Sequence, residues 1–63
     1  MRYKIREMRE KRHLSQEELA QISGVSRGIV VRLESDTEYE TQVSTLEKIA
    51  NALGVSIKSL FMP

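Results

Sequence analysis

The chain contains no cysteine, so no disulfide braces it and no thiolate metal site can form; a reducing compartment is the expected setting. Its one proline is the last residue, and its three glycines are Gly24, Gly28 and Gly54. Helix breakers are therefore scarce. No stretch approaches the ~20 consecutive apolar residues of a membrane-spanning helix. The first residues, MRYKIREMREKR, lack the apolar centre of a secretory signal. These absences predict a soluble, cytoplasmic protein with no membrane partner. No segment is repeated or of low complexity.

Chemistry is scarce as well. His13 is the single histidine, and no carboxylates stand around it at ligand spacing, so no metal site is expected. Nothing sets a nucleophile beside a base and an orienting group, which excludes an enzyme. No cofactor and no small-molecule ligand are expected. At 63 residues the chain is read as one small domain spanning residues 1–63. A domain of this size buries only about 60 % of the surface its unfolded chain exposes.

The net charge of +1 is uninformative, but its distribution is not. Residues 1–14 carry six basic residues against two acidic ones, whereas residues 34–47 carry five acidic residues and no basic one. Such asymmetry fits a polyanion partner, and equally a basic helix bathed in solvent.

Apolar residues recur at helical spacing along nearly the whole chain. Ile5, Met8 and the stem of Arg12 define a first helix that ends near His13. Ser15 followed three residues later by Glu18 is a capping box, opening a second helix with Leu19, Ala20 and Ile22 that stops at Gly24. A third helix begins at Ser26. The segment SDTEYE has no apolar rhythm and is a loop. Thr41 or Gln42 opens a fourth helix, with Val43, Leu46, Ile49, Ala50 and Leu53 on one face and Gly54 at its end. Ser56 caps a short fifth helix carrying Ile57, Leu60 and Phe61. The fold class expected is all-α, a compact five-helix bundle.

The stretch SRGIVVRLE, residues 26–34, needs separate treatment. Ile29, Val30 and Val31 form a β-branched run that suggests a strand, and Gly28 weakens a helix. Ser26, however, is a good N-cap. At 100° per residue, Val30 and Leu33 fall together, with Ser26, Ile29 and Glu34 beside them. Arg27, Gly28, Val31 and Arg32 take the opposite side. A turn of a few residues at Gly24 joins this helix to the one before it, the arrangement of a helix-turn-helix over about residues 16–35. An outward face of two arginines, a glycine and a valine gains nothing in water. In a major groove, arginine donates bidentately to guanine and an apolar group meets a thymine methyl. The missing side chain of Gly28 would let the backbone come close to base edges.

SQEELAQISGVSRGIVVRLE resembles the helix-turn-helix of the Cro/repressor (Xre-type) DNA-binding domains of phage and bacterial regulators. The likeness extends over IREMREKRHLSQEELA before it and TLEKIANALGVSIKSLF after it, nearly the whole chain. As a set, SQEELA, GVS, V..LE and ALGVS are fairly specific. The resemblance implies a phage-repressor-like bundle whose third helix reads a double-stranded DNA operator through the major groove, usually as a homodimer on a two-fold site. It implies DNA contacts at Gln16, Ser26, Arg27, Gly28, Val31 and Arg32, with Gln16 holding a phosphate. It also implies a structural ion pair between Arg9 and Glu34, and a left-handed His13 where the family commonly has glycine.

One departure stands out. The family's loop after the third helix often carries glycine, lysine and arginine that grip phosphates. Here it reads SDTEYETQ and is a residue or so longer. Asp36, Glu38 and Glu40 would repel DNA if they faced it, so the loop turns away, lowers affinity or serves another partner. Two functions follow. The first is a sequence-specific DNA-binding regulator, a small repressor in kind. The alternative reuses the fold as a protein-interaction module, antagonist or antitoxin-like, acting through the acidic loop 35–40. Four large apolar residues crowd the end of the chain, Ile57, Leu60, Phe61 and Met62. They are the expected dimer interface.

Overall fold

The computed structural model describes residues 3–35 and 39–61. They form four α-helices: α1 (Ile5–Lys11), α2 (Gln16–Ser23), α3 (Arg27–Ser35) and α4 (Val43–Leu53), followed by a 3₁₀ turn at Ile57–Leu60. The fold is all-helical, with no strand longer than a single bridge among the described residues.

Local chemistry accounts for most helix ends. Ser15 Oγ accepts from the Glu18 backbone N–H at 3.0 Å while Glu18 Oε1 accepts from the Ser15 N–H at 2.8 Å, closing the capping box at the start of α2. Gly24 ends that helix at φ 77° and Gly54 ends α4 at φ 71°, left-handed positions that favour glycine. After α1 the same task falls to His13, at φ 57°. Ser26 Oγ accepts from the Ile29 N–H at 3.3 Å and so caps α3. The β-branched run after it is helical because burial of Val30 and Leu33 outweighs weak local propensity.

The core gathers Ile5, Leu19, Val30, Leu33, Leu46, Ile49, Leu53 and Leu60, each at most 4 % exposed, with Val25 and Ala50. Helix α2 packs on α3 and α4, α1 packs on α3, and the 3₁₀ turn packs on α4. Ala20 is half-buried against this cluster, as is Ile29.

Three expectations require correction. The fifth helix is a single 3₁₀ turn of four residues, held by Ser59 N–H to Ser56 O and Phe61 N–H to Lys58 O. A longer helix is precluded because Phe61 is drawn out straight (φ −91°, ψ 143°) to form an antiparallel bridge with Tyr3. The Lys4 N–H donates to Leu60 O at 2.6 Å, and the Tyr3 and Phe61 rings lie 5.5 Å apart. Ile22 and Val43, read as members of apolar faces, are 57 % and 64 % exposed. They sit at the C-terminal end of α2 and the N-terminal end of α4, beyond the width of helix that the small core covers. Finally, Leu60 is wholly buried, which removes it from the surface expected to meet a second copy. Ile57 and Phe61 are half-buried against the core, and Met62 lies outside the described residues.

Candidate nucleic-acid interface

Residues 24–26 join α2 to α3. The turn is drawn tight by Ser23, whose hydroxyl donates to Ala20 O at 3.4 Å and accepts from the Val25 N–H at 3.2 Å. Val25 then plugs the angle between the helices, 6 % exposed. With Val30 and Leu33 buried, the other side of α3 faces outward. Arg27, Gly28 and Arg32 are exposed there and Val31 is partly covered; Ser26, the cap, is exposed at the same end. A Cβ added to Gly28 would meet nothing within 4 Å, and its backbone is ordinary helix. Among the described residues, therefore, nothing requires a glycine there.

Beside α3 lies an open polar cleft of about 440 Å³, lined by Arg6, Arg9 and Glu10 of α1, Ser15, Gln16 and Glu17 at the start of α2, and Arg27. The structure thus brings Gln16 and Arg27 to one cleft. The N-terminus of α2 adds its dipole and the backbone N–H groups of Gln16 and Glu17, which the helix itself leaves without acceptors.

Beneath the cleft the Glu34 side chain is fully covered. Its Oε2 accepts from Arg9 Nε at 2.7 Å, and its Oε1 accepts from Arg9 Nη2 and Gln16 Nε2, each at 3.0 Å. Arg6 Nε stands 3.5 Å from the same oxygen. Arg9 Nη1 donates to Leu14 O at 2.7 Å, tying the post-α1 turn into the network. Burial alone would push the Glu34 carboxyl up. The hydrogen bonds from Arg9 and Gln16, the Arg9 charge and the bond from Arg6 outweigh it, so Glu34 titrates below the usual glutamate range. Bonding to Glu34 in turn raises Arg9, against a smaller opposing effect of burial.

Two features had no local signal in the sequence. Gln16, expected to hold a phosphate, commits one amide N–H to Glu34 and keeps the other for a second acceptor. Arg32 is stacked on Tyr39, its guanidinium carbon 4.4 Å from the ring centre. Of the acidic loop, Asp36 and Glu38 lie outside the described residues, while Glu40 is exposed. Among the described residues no group of three or more His, Cys, Asp or Glu is placed to hold a metal, and no helix is long and apolar enough to cross a membrane.

A family model described as helix-turn-helix matches residues 5–60. The immunity repressor protein of Bacillus phage phi105 is 35% identical over 57 residues, covering 90% of this chain and 39% of that relative. The chain spans about two fifths of that relative's length. A match over residues 5–60, from the first core residue of α1 to the end of the 3₁₀ turn, identifies the chain as a member of the helix-turn-helix family.

Proposed function

We propose that the protein is a sequence-specific DNA-binding regulator of the repressor type, with α3 as the helix that enters the major groove. The class is not enzymatic. Family membership and the phage repressor relative support the DNA-binding role. The observation that carries the finer reading is the α3 face itself. Two arginines and a glycine are presented outward by a helix whose other side is core, and the glycine has no structural reason among the described residues. Arg27 and Arg32 would donate to base edges or phosphates, Val31 would meet a thymine methyl, and Ser26 would sit near the backbone at the helix start. Arg6, Gln16 and the first turn of α2 would hold a phosphate in the cleft beside Arg27.

In this reading the regulator works as a two-fold dimer. The domain measures 23 × 22 × 20 Å, short of the roughly 34–36 Å between successive major-groove half-sites. One copy therefore reads one half-site. The half-buried Ile57 and Phe61 are the surface offered to the mate.

Selection of bound duplexes from a random DNA pool, with the salt dependence of the best binder measured, tests the proposal. The expected result is an enriched inverted repeat whose log affinity falls linearly with log salt as counterions are released. Failure to enrich any sequence at low salt would overturn it in favour of a protein-interaction role for the acidic loop.

A further inference from the structure

Glu34 is the next-to-last residue of α3, yet its carboxylate is shared with α1 and α2. Arg9 of α1 takes both oxygens, at 2.7 and 3.0 Å, and balances the charge. Oε1 has two further donors, Gln16 Nε2 at 3.0 Å and Arg6 Nε at 3.5 Å. Neither of these belongs to the core. Arg6 is more than half exposed, Gln16 is half-buried, and both line the cleft beside Arg27. Burial pushes the Glu34 carboxyl up, but the bonds from Arg9 and Gln16 outweigh it, so Glu34 is ionised at neutral pH. An ionised carboxylate accepts and cannot donate, so only the NH2 end of the Gln16 amide fits against it. Long polar side chains lose much rotamer freedom when they dock on a partner, and side chains already held lose less.

We propose that Glu34 is a positioning residue for the phosphate end of the DNA interface, its Oε1 holding Gln16 and Arg6 at the cleft before DNA arrives. The proposal rests on the reading of Gln16 and Arg6 as the residues that hold a phosphate. Because Glu34 belongs to α3, it keeps those two side chains in register with the helix that reads bases. This goes beyond an ion pair that braces the fold, since bracing needs Arg9 alone.

The free wild-type chain supplies one half of the test. Order parameters from 15N relaxation of the side-chain amides, which report picosecond–nanosecond motion, compare Gln16 with the exposed Gln21 of the same helix. Gln16 should be clearly the more ordered; equal mobility would overturn the proposal. The other half is Glu34→Gln, which keeps the size and removes the charge, with binding to the duplex best enriched by the wild-type chain read by fluorescence anisotropy. Thermal melts give the folded fraction to which each affinity is referred. Losing a buried negative charge makes the domain one unit more positive, which by charge alone tightens binding to a polyanion. Positioning predicts the opposite sign, a loss of about two- to ten-fold, the strength of a hydrogen bond. That loss should disappear once Gln16 and Arg6 are both alanine. Equal losses in the two backgrounds would show a merely structural role and overturn the proposal. Unchanged or tighter binding by Glu34→Gln would overturn it too, the latter because the carboxylate would then be competing with phosphate for Gln16 and Arg6. If Glu34→Gln is unfolded, the amide comparison decides alone. If the Gln16→Ala, Arg6→Ala pair weakens binding while Glu34→Gln does not, only the proposal falls. If that pair binds like wild type, the assignment of the cleft to a phosphate falls with it.

Discussion

Gly28→Ala separates what α3 does for the fold from what it does for DNA, because the two effects have opposite signs. Among the described residues the added methyl group meets nothing within 4 Å, and the backbone already has helical geometry. Replacing a solvent-exposed helical glycine by alanine stabilises by roughly 0.5–1 kcal/mol, mainly by reducing the freedom of the unfolded chain. Gly28 is the second residue of α3, in the first turn, where the propensity difference is smaller than in a helix interior, so about 0.5 kcal/mol is expected. In a domain of 63 residues that corresponds to a rise in Tm of about 2–4 °C. If the backbone at Gly28 approaches base edges closely, the same methyl group stands between helix and groove. Affinity for the selected duplex should then fall at least several-fold while binding to unrelated DNA, dominated by phosphate contacts, changes little. Paired thermal melts and titrations decide the matter. A more stable variant with unchanged specific affinity would refute a close approach at Gly28, and a less stable one would refute the account of α3 as unstrained helix at that position.

Removing Glu34 should cost about 3–5 kcal/mol, the usual penalty for breaking a buried pair by taking one partner. That is a large share of the about 3–9 kcal/mol expected of a chain this long at roughly 0.05–0.15 kcal/mol per residue, so Glu34→Ala should show a strongly lowered urea midpoint. Because the folded state holds the Glu34 carboxyl below its ordinary range, its contribution is complete above that range and is lost as pH falls through the lowered value. Glu34→Gln should flatten the acid limb of a stability-versus-pH curve; an unchanged limb would contradict this. His13→Gly relieves a left-handed conformation at an exposed position and should raise Tm by a few degrees with DNA affinity unaltered. Neutralising Asp36, Glu38 and Glu40 together should strengthen binding to non-specific DNA at low salt by removing charges opposed to the phosphate field; no change would place them away from the duplex.

Features with local causes were legible in the sequence. The capping box at Ser15 and Glu18 and the glycines at the ends of α2 and α4 involve residues a few positions apart, and their geometry follows from residue type. The two sides of α3 were legible as well, since a 3.6-residue period divides Val30 and Leu33 from Arg27 and Arg32. Periodicity does not reveal how wide a strip the partner helices cover, which is why Ile22 and Val43 looked like core and are exposed. Val25 carries no core signal in the sequence because it sits in a turn, where no period applies. The final helix was overextended because what stops it, the pairing of Phe61 with Tyr3 at the opposite end of the chain, leaves no local mark. The same holds at the interface. Pairing of Arg9 with Glu34 came from family resemblance, and the convergence of Gln16 and Arg6 on that carboxylate, like the stack of Arg32 on Tyr39, arises only when distant segments meet.

The central claim is that the outward face of α3 reads base pairs. Its most direct test is selection from a random DNA pool carried out in parallel with the wild-type chain, Arg27→Ala and Arg32→Ala, followed by affinities for the wild-type sequence. A lost bidentate contact to a base should cost about 1–3 kcal/mol and relax the preference at one position in each half-site. A variant that has lost a phosphate contact should instead bind more weakly across all sequences, with a shallower salt slope. At least one of the two variants is expected to show the first pattern. Wild-type affinity and an unchanged enriched sequence for both would contradict the claim.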